Sequence, residues 1–192
     1  PEWNQRPKDP GITCSMEDLS LHILDIVENA TSAGATLVCI SVQEDAERDI
    51  LEITVRDNGS GMDAKALNGV RDPFFTSRTT RRVGLGIPLF EAAAREAGGH
   101  LWVYSQPGRG TKVKATFEAG HIDRKPLGDM GATLVSLIMG NPEVDFVYES
   151  NLKGETTSVD TRSIKKEIKG VTTITDPAVL KLVRDVVNNP EP

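Results

Sequence analysis

The hydrophobic positions of this chain switch between two periods. From Ser15 to Ala33, Leu19, Ile23, Ile26, Val27 and Ala30 recur at helical spacing. Ser15 followed by Asp18 predicts a capping box with aspartate in the acidic place, and Gly34 supplies a stop. The period then falls to two. Val38, Ile40 and Val42 share one face of a strand predicted over 36–42, and Leu51, Ile53 and Val55 share one face of the next. The acidic stretch Glu44–Asp49 turns the chain between them. A short helix is expected over 64–70, a loop over 71–83, and a longer helix from Gly84 to about Ala97, ended by Gly98 and Gly99. Residues 100–105 and 111–118 then read as a hairpin closed by Gln-Pro-Gly-Arg-Gly.

After Gly120 the texture changes. Residues 121–129 look like a linker and 130–139 like a helix. Residues 144–150 and 156–160 form strands around Asn151-Leu152-Lys153-Gly154, followed by helices over 163–169 and 177–188. Asp176 with Pro177 makes a helix start. The pattern predicts a two-layer α/β sandwich over 15–120. A tail precedes it at 1–14, and a small α+β extension of unassigned role follows at 121–192.

Composition narrows the class. Hydrophobic residues make up 38% and charged residues 26%, as in ordinary globular proteins. No apolar run reaches the roughly 18–20 residues that span a bilayer, so no membrane partner is expected. Cys14 and Cys39 fit neither a disulfide framework nor a metal-ligand spacing, which suits a reducing, cytoplasmic setting. A net charge of −6 argues against a nucleic-acid surface.

Four segments carry candidate chemistry. Asp25 and Asn29 stand one turn apart on the first helix, with His22 on the same side. Buried without partners they would cost about 1–3 kcal/mol each. An amide oxygen at Asn29 can instead ligate Mg²⁺, and a carboxylate at Asp25 can orient a nucleophile. Asp57-Asn58-Gly59-Ser60-Gly61-Met62 ends a strand. It is either a tight turn or a place where Asp57 accepts a hydrogen bond from an exocyclic amine while Gly59 and Gly61 admit a base. The loop Asp72–Arg82 holds Phe74, Phe75, Thr76, Arg78 and Arg81. Arg71, Arg78, Arg81 and Arg82 against Asp72 give it a charge of +3, suited to phosphate oxygens. Gly84-Leu85-Gly86 opens a helix, where backbone N–H groups can face phosphate.

In this order the segments resemble the GHKL superfamily, whose ATP-binding domain has the Bergerat fold. Residues 25–30 resemble its N box and 57–61 its first glycine box. Residues 72–76 resemble the start of its ATP lid, 82–86 its second glycine box, and Gly110-Thr111 its closing glycine-threonine element. The resemblance implies that Asn29 ligates Mg²⁺ and that Asp57, supported by Thr111, binds adenine. It implies that Gly59, Gly61, Met62, Gly84, Leu85 and Gly86 line the nucleotide pocket. Phe74, Thr76, Arg78, Arg81 and Arg82 would belong to the lid. Arg82 stands where the second glycine box usually opens with one more glycine. Asp25 takes the position at which hydrolysing members carry glutamate and many histidine kinases asparagine.

The lid sequence looks most like that of histidine kinases, so ATP and Mg²⁺ are the expected cofactors and two-component signalling the expected setting. No two-helix phosphoacceptor domain is expected ahead of the first helix. The reading is therefore a kinase that acts on or regulates a separate partner protein or phosphoacceptor, with a homodimer compatible with the class. Two alternatives are an ATP-hydrolysing switch, which the similarity of residues 27–35 to mismatch-repair ATPases suggests, and a regulatory module of the anti-sigma-factor kind that binds ATP without turning it over.

Overall fold

The structure, a computed structural model, describes residues 18–70 and 86–189. Its first helix, α1, spans Leu19–Ser32. Asp18, expected in the acidic place of a capping box, is itself the N-cap, its carboxylate accepting from the Leu21 N–H. Gly34 at φ +76° ends the helix as anticipated. Strands β1 (Leu37–Asp45) and β2 (Ile50–Asp57) follow, antiparallel, with Val38 opposite Asp57 and Ile40 opposite Val55. Beyond them come α2 (Ala64–Gly69), α3 (Gly86–Glu96), and the hairpin β3 (Leu101–Gln106) and β4 (Gly110–Glu118). The described part of the second-glycine-box helix therefore starts at Gly86; Gly84 and Leu85 lie outside the described residues.

The later segment supplies α4 (Met130–Gly140), β5 (Asp145–Leu152), β6 (Glu155–Asp160), α5 (Thr161–Glu167) and α6 (Pro177–Asn188). Asp160 and Asp176 cap α5 and α6 through their carboxylates, so α5 begins at Thr161 rather than Ser163. β5 runs parallel to β1, Val38 opposite Phe146, and β6 completes a six-stranded mixed sheet in the order β3-β4-β2-β1-β5-β6.

One face of this sheet is buried along every strand. Val38, Ile40, Val42, Leu51, Ile53, Val55, Val113, Ala115, Phe117, Phe146 and Tyr148 point into it. Ile23, Ile26 and Val27 of α1, Phe90 and Ala94 of α3, Leu134 and Leu137 of α4, and Leu180 and Val183 of α6 join them in a single core. Burying one such large side chain contributes about 1.5–3 kcal/mol. The stretch 121–129, linker-like in composition, docks on α1: the Pro126 and Leu127 carbonyls accept from the Leu19 and Ser20 N–H groups, satisfying two donors that a helix start leaves open. Over β2, β4 and β3 the opposite face carries Arg56, Lys112, Lys114, Trp102 and Tyr104, half-buried or exposed.

Candidate nucleotide site

The candidate site lies where the inward positions of the strands stop being apolar. Val55, Val113 and Val103 form one cross-strand row on the buried face. One step further along, the inward positions are Asp57, Thr111 and Ser105, all half-buried. These three are hydrogen-bonded together. Asp57 Oδ1 accepts from the Gly59 N–H at 2.8 Å and from the Thr111 N–H at 3.2 Å. Ser105 Oγ lies 2.9 Å from Thr111 Oγ1, accepts from the Met62 N–H at 2.8 Å and reaches the Gly110 carbonyl at 3.0 Å. Both bonds to Asp57 fall on the same oxygen, and Oδ2 has no hydrogen-bond partner among the described residues.

The turn after β2 is threaded between neighbouring segments. The Ser60 N–H donates to the Ala33 carbonyl at the end of α1, and the Gly108 N–H of the hairpin donates to the Ser60 carbonyl. Asn58 Oδ1 accepts from the Thr36 and Leu37 N–H groups. Two glycines are demanded by this closeness. A β-carbon at Gly61 (φ +66°) would stand 2.0 Å from the Gln106 carbonyl oxygen, and one at Gly110 (φ +80°) would stand 2.0 Å from that of Asp57. Neither position could hold a side chain without backbone movement.

The other end of the site is built by α1 and α3. A β-carbon at Gly86 would lie 3.3 Å from Asp25 Cβ, 3.5 Å from Asp25 Oδ2 and 3.6 Å from Asn29 Nδ2. Gly86, the first described residue of α3, therefore abuts the two polar residues Asp25 and Asn29. Asn29 is exposed and Asp25 half-buried. His22, one turn earlier, faces away from solvent. It is 1% exposed, stacks on Phe90 at 5.2 Å, and neither ring nitrogen finds a partner among the described residues. Burial, assisted by the positive charge of Lys125, lowers its pKa to about 4, against a weaker opposing pull from Asp18. His22 is thus a neutral core residue.

Of the residues singled out in the sequence, Asp57, Gly59, Gly61, Met62 and Thr111 come together at one end, and Asp25, Asn29 and Gly86 at the other. Phe74, Thr76, Arg78, Arg81, Arg82, Gly84 and Leu85 lie outside the described residues. Ser105 escaped notice. The signal was present in the alternation Leu101, Val103, Ser105, where a hydroxyl falls on an inward position.

A mixed sheet with one face under helices, and a polar end to that face framed by two glycine turns and an Asp-Asn helix, defines a class of nucleotide-binding domain. The family described as histidine kinase-, DNA gyrase B- and HSP90-like ATPase matches residues 15–121, more than half of the chain. The chain belongs to this family, and it is an ATP-binding domain of the histidine-kinase type.

Among its relatives, the sensor protein kinase FleS of Pseudomonas aeruginosa is 38% identical over 109 residues, covering 57% of this chain and 27% of that protein. The non-motile and phage-resistance protein of Caulobacter vibrioides is 30% identical over 135 residues, covering 66% of this chain and 16% of that protein. The chain thus spans about a quarter or less of the length of these relatives. The solved N-terminal domain of a DNA repair protein superposes with a TM-score of 0.50 at 14% identity, over 76% of this chain and 52% of that one, a likeness of fold alone. Among the described residues no helix is long and apolar enough to cross a membrane.

Proposed function

We propose that this domain binds Mg-ATP between the Asp57 turn and the α1–α3 junction and serves as the catalytic domain of a protein kinase of the histidine-kinase type, directing the γ-phosphoryl group to an acceptor outside this domain. The observation that carries the reading is the use of Asp57: Oδ1 is spent on the Gly59 and Thr111 N–H groups, and Oδ2 remains for a ligand. An exocyclic amine such as that of adenine is the donor that fits it. Asp57 and Thr111 would hold the base, with Met62, Gly59 and Gly61 beside it. Ser105 would act through Thr111 and the Met62 N–H by fixing their positions.

At the far end, Asn29 would offer its amide oxygen to Mg²⁺, which prefers oxygen ligands. Gly84, Leu85 and Gly86 would face phosphate with backbone N–H groups at the start of α3. Phe74, Thr76, Arg78, Arg81 and Arg82 would close over the phosphates, the arginines neutralising charge. Asp25, beside Gly86 and Asn29, would orient or deprotonate the attacking group. Bound Mg-ATP supplies the transferable phosphoryl group. His22, buried and stacked on Phe90, is excluded as its acceptor.

Phosphate release from Mg-ATP by the wild type, Asp25→Asn and Asn29→Ala tests the assignment. The kinase reading expects Asn29-dependent ATP binding with little release of phosphate. Turnover abolished by Asp25→Asn would instead move the protein to the ATP-hydrolysing switches.

A further inference from the structure

We propose that the outward face of the β2–β4–β3 side of the sheet is a docking surface for an acidic segment of a partner protein. The face is organised in register. One cross-strand row reads Trp102, Lys114, Thr54, and the next reads Tyr104, Lys112, Arg56. Trp102 is 37% and Tyr104 55% exposed, adjacent outward positions of β3. Exposed aromatics paired with arginine are the composition that recurs where interfaces concentrate their binding energy.

The cations are not equivalent. Lys114 is engaged, its Nζ 2.7 Å from Glu52 and 6.0 Å from the Trp102 ring centroid. Arg56 and Lys112 sit directly opposite each other in the ladder, and neither side chain takes part in a hydrogen bond or ion pair among the described residues. A groove of about 270 Å³ opens beside them, lined also by Cys39, Thr54 and Glu149. Two cations facing one another without an ion-pair partner among the described residues, in a chain of net charge −6, mark a place for carboxylates.

The same geometry disfavours a nucleic acid, although aromatic residues on a basic sheet also suit single strands. A phosphate backbone needs a row of cations. Here Glu52 engages Lys114, and Glu149 lines the groove beside Arg56 and Lys112, so acidic residues interrupt any such row. An extended acidic peptide turns only alternate side chains toward the surface, so isolated carboxylates can meet Arg56 and Lys112 while an apolar side chain lies on Trp102 and Tyr104. The inference does not depend on the nucleotide reading, because none of these residues belongs to that site.

The test uses the whole chain and a fluorescent glutamate–tyrosine copolymer as the probe, followed by anisotropy, with a thymidine oligonucleotide in parallel. The wild type is expected to bind the copolymer, more weakly as salt rises. Arg56→Glu with Lys112→Glu, and separately Trp102→Ala with Tyr104→Ala, should each weaken binding about tenfold or more, with ATP affinity and thermal melting retained. Should the charge-reversed pair fail to fold, Arg56→Gln with Lys112→Gln should give a smaller loss in the same direction. The proposal is overturned if the copolymer does not bind, or if these variants bind it as the wild type does. It also fails if the oligonucleotide binds more tightly than the copolymer, or if Arg56→Glu with Lys112→Glu converts a sedimenting dimer to a monomer, since a second copy would then occupy the face.

Discussion

Residues 18–120 and 121–189 share one sheet and one core, yet only the first segment carries recognisable chemistry. The Asp57 turn spends its polar atoms on fixing backbone around a place for a ligand, with two glycines whose β-carbons would collide with carbonyl oxygens. The later segment spends its residues on packing: Phe146, Tyr148, Leu134, Leu137 and Ile138 are buried with the strands and helices of the first. Motifs reveal a site because its chemistry restricts residue identity at each position. Packing restricts only size and polarity, so a segment can be essential to the fold while having no signature.

The largest expected effect is loss of the later segment. Deleting residues 126–192 removes β5 from beside β1 and strips α4 and α6 from the core. Each lost buried side chain is worth about 1.5–3 kcal/mol, so a handful exceeds the roughly 5–15 kcal/mol that holds a domain folded. We expect an insoluble or non-cooperative product; a sharp thermal transition in residues 1–125 would show that the two segments fold separately.

Next in size is Gly61→Ala, at φ +66° and against the Gln106 carbonyl. It should cost about 3 kcal/mol or more in denaturant unfolding, through backbone strain and overlap together. Gly34→Ala, also at positive φ but with nothing within 4 Å, should cost less. Equal losses would mean that conformation alone, and not the close approach of the hairpin, demands the glycine.

His22 gives a smaller, pH-dependent effect. Its folded pKa is about 4 against an ordinary 6.5, so the unfolded chain binds the proton more readily. The stability gained from a neutral His22 is complete above pH 6.5 and is lost as pH falls toward 4, by about 1.4 kcal/mol per unit of separation. The capping carboxyls of Asp129, Asp160 and Asp176, held below their ordinary 3.8, act at lower pH. Melting His22→Phe from pH 7 to 4 should flatten the upper part of this dependence; an unchanged profile would assign it to another group.

Smallest is Asp129→Ala, which removes the α4 cap and the contacts to Arg184 and Asn188. About 1 kcal/mol of stability should be lost with ATP affinity intact, since this end of the later segment is remote from the Asp57 turn.

Much of the architecture was legible in the alternation of periods. The inward faces of β1 and β2, the hairpin around Gly108, and the capped start of α6 all follow from apolar spacing, glycine and aspartate. Less was legible where long-range pairing decides. The parallel match of β5 to β1, and the docking of Pro126 and Leu127 on α1, depend on partners far away in sequence. Ser105 was missed because a serine near a hairpin turn looks like ordinary turn chemistry until its register with Thr111 is known. His22 lies on the same helix side as Asp25 and Asn29 and reads as a structural or site-wall residue; its place against Phe90 in the core makes it structural.

In the proposed complex Asp57 keeps one carboxylate oxygen for the base of ATP. Calorimetric titration of ATP into the wild type and Asp57→Asn, with thermal melts alongside, tests it most directly. The wild type should bind ATP measurably, and the variant should lose about tenfold or more in affinity while still melting cooperatively. Equal affinity in the two proteins would contradict the claim and move the base-recognition site elsewhere.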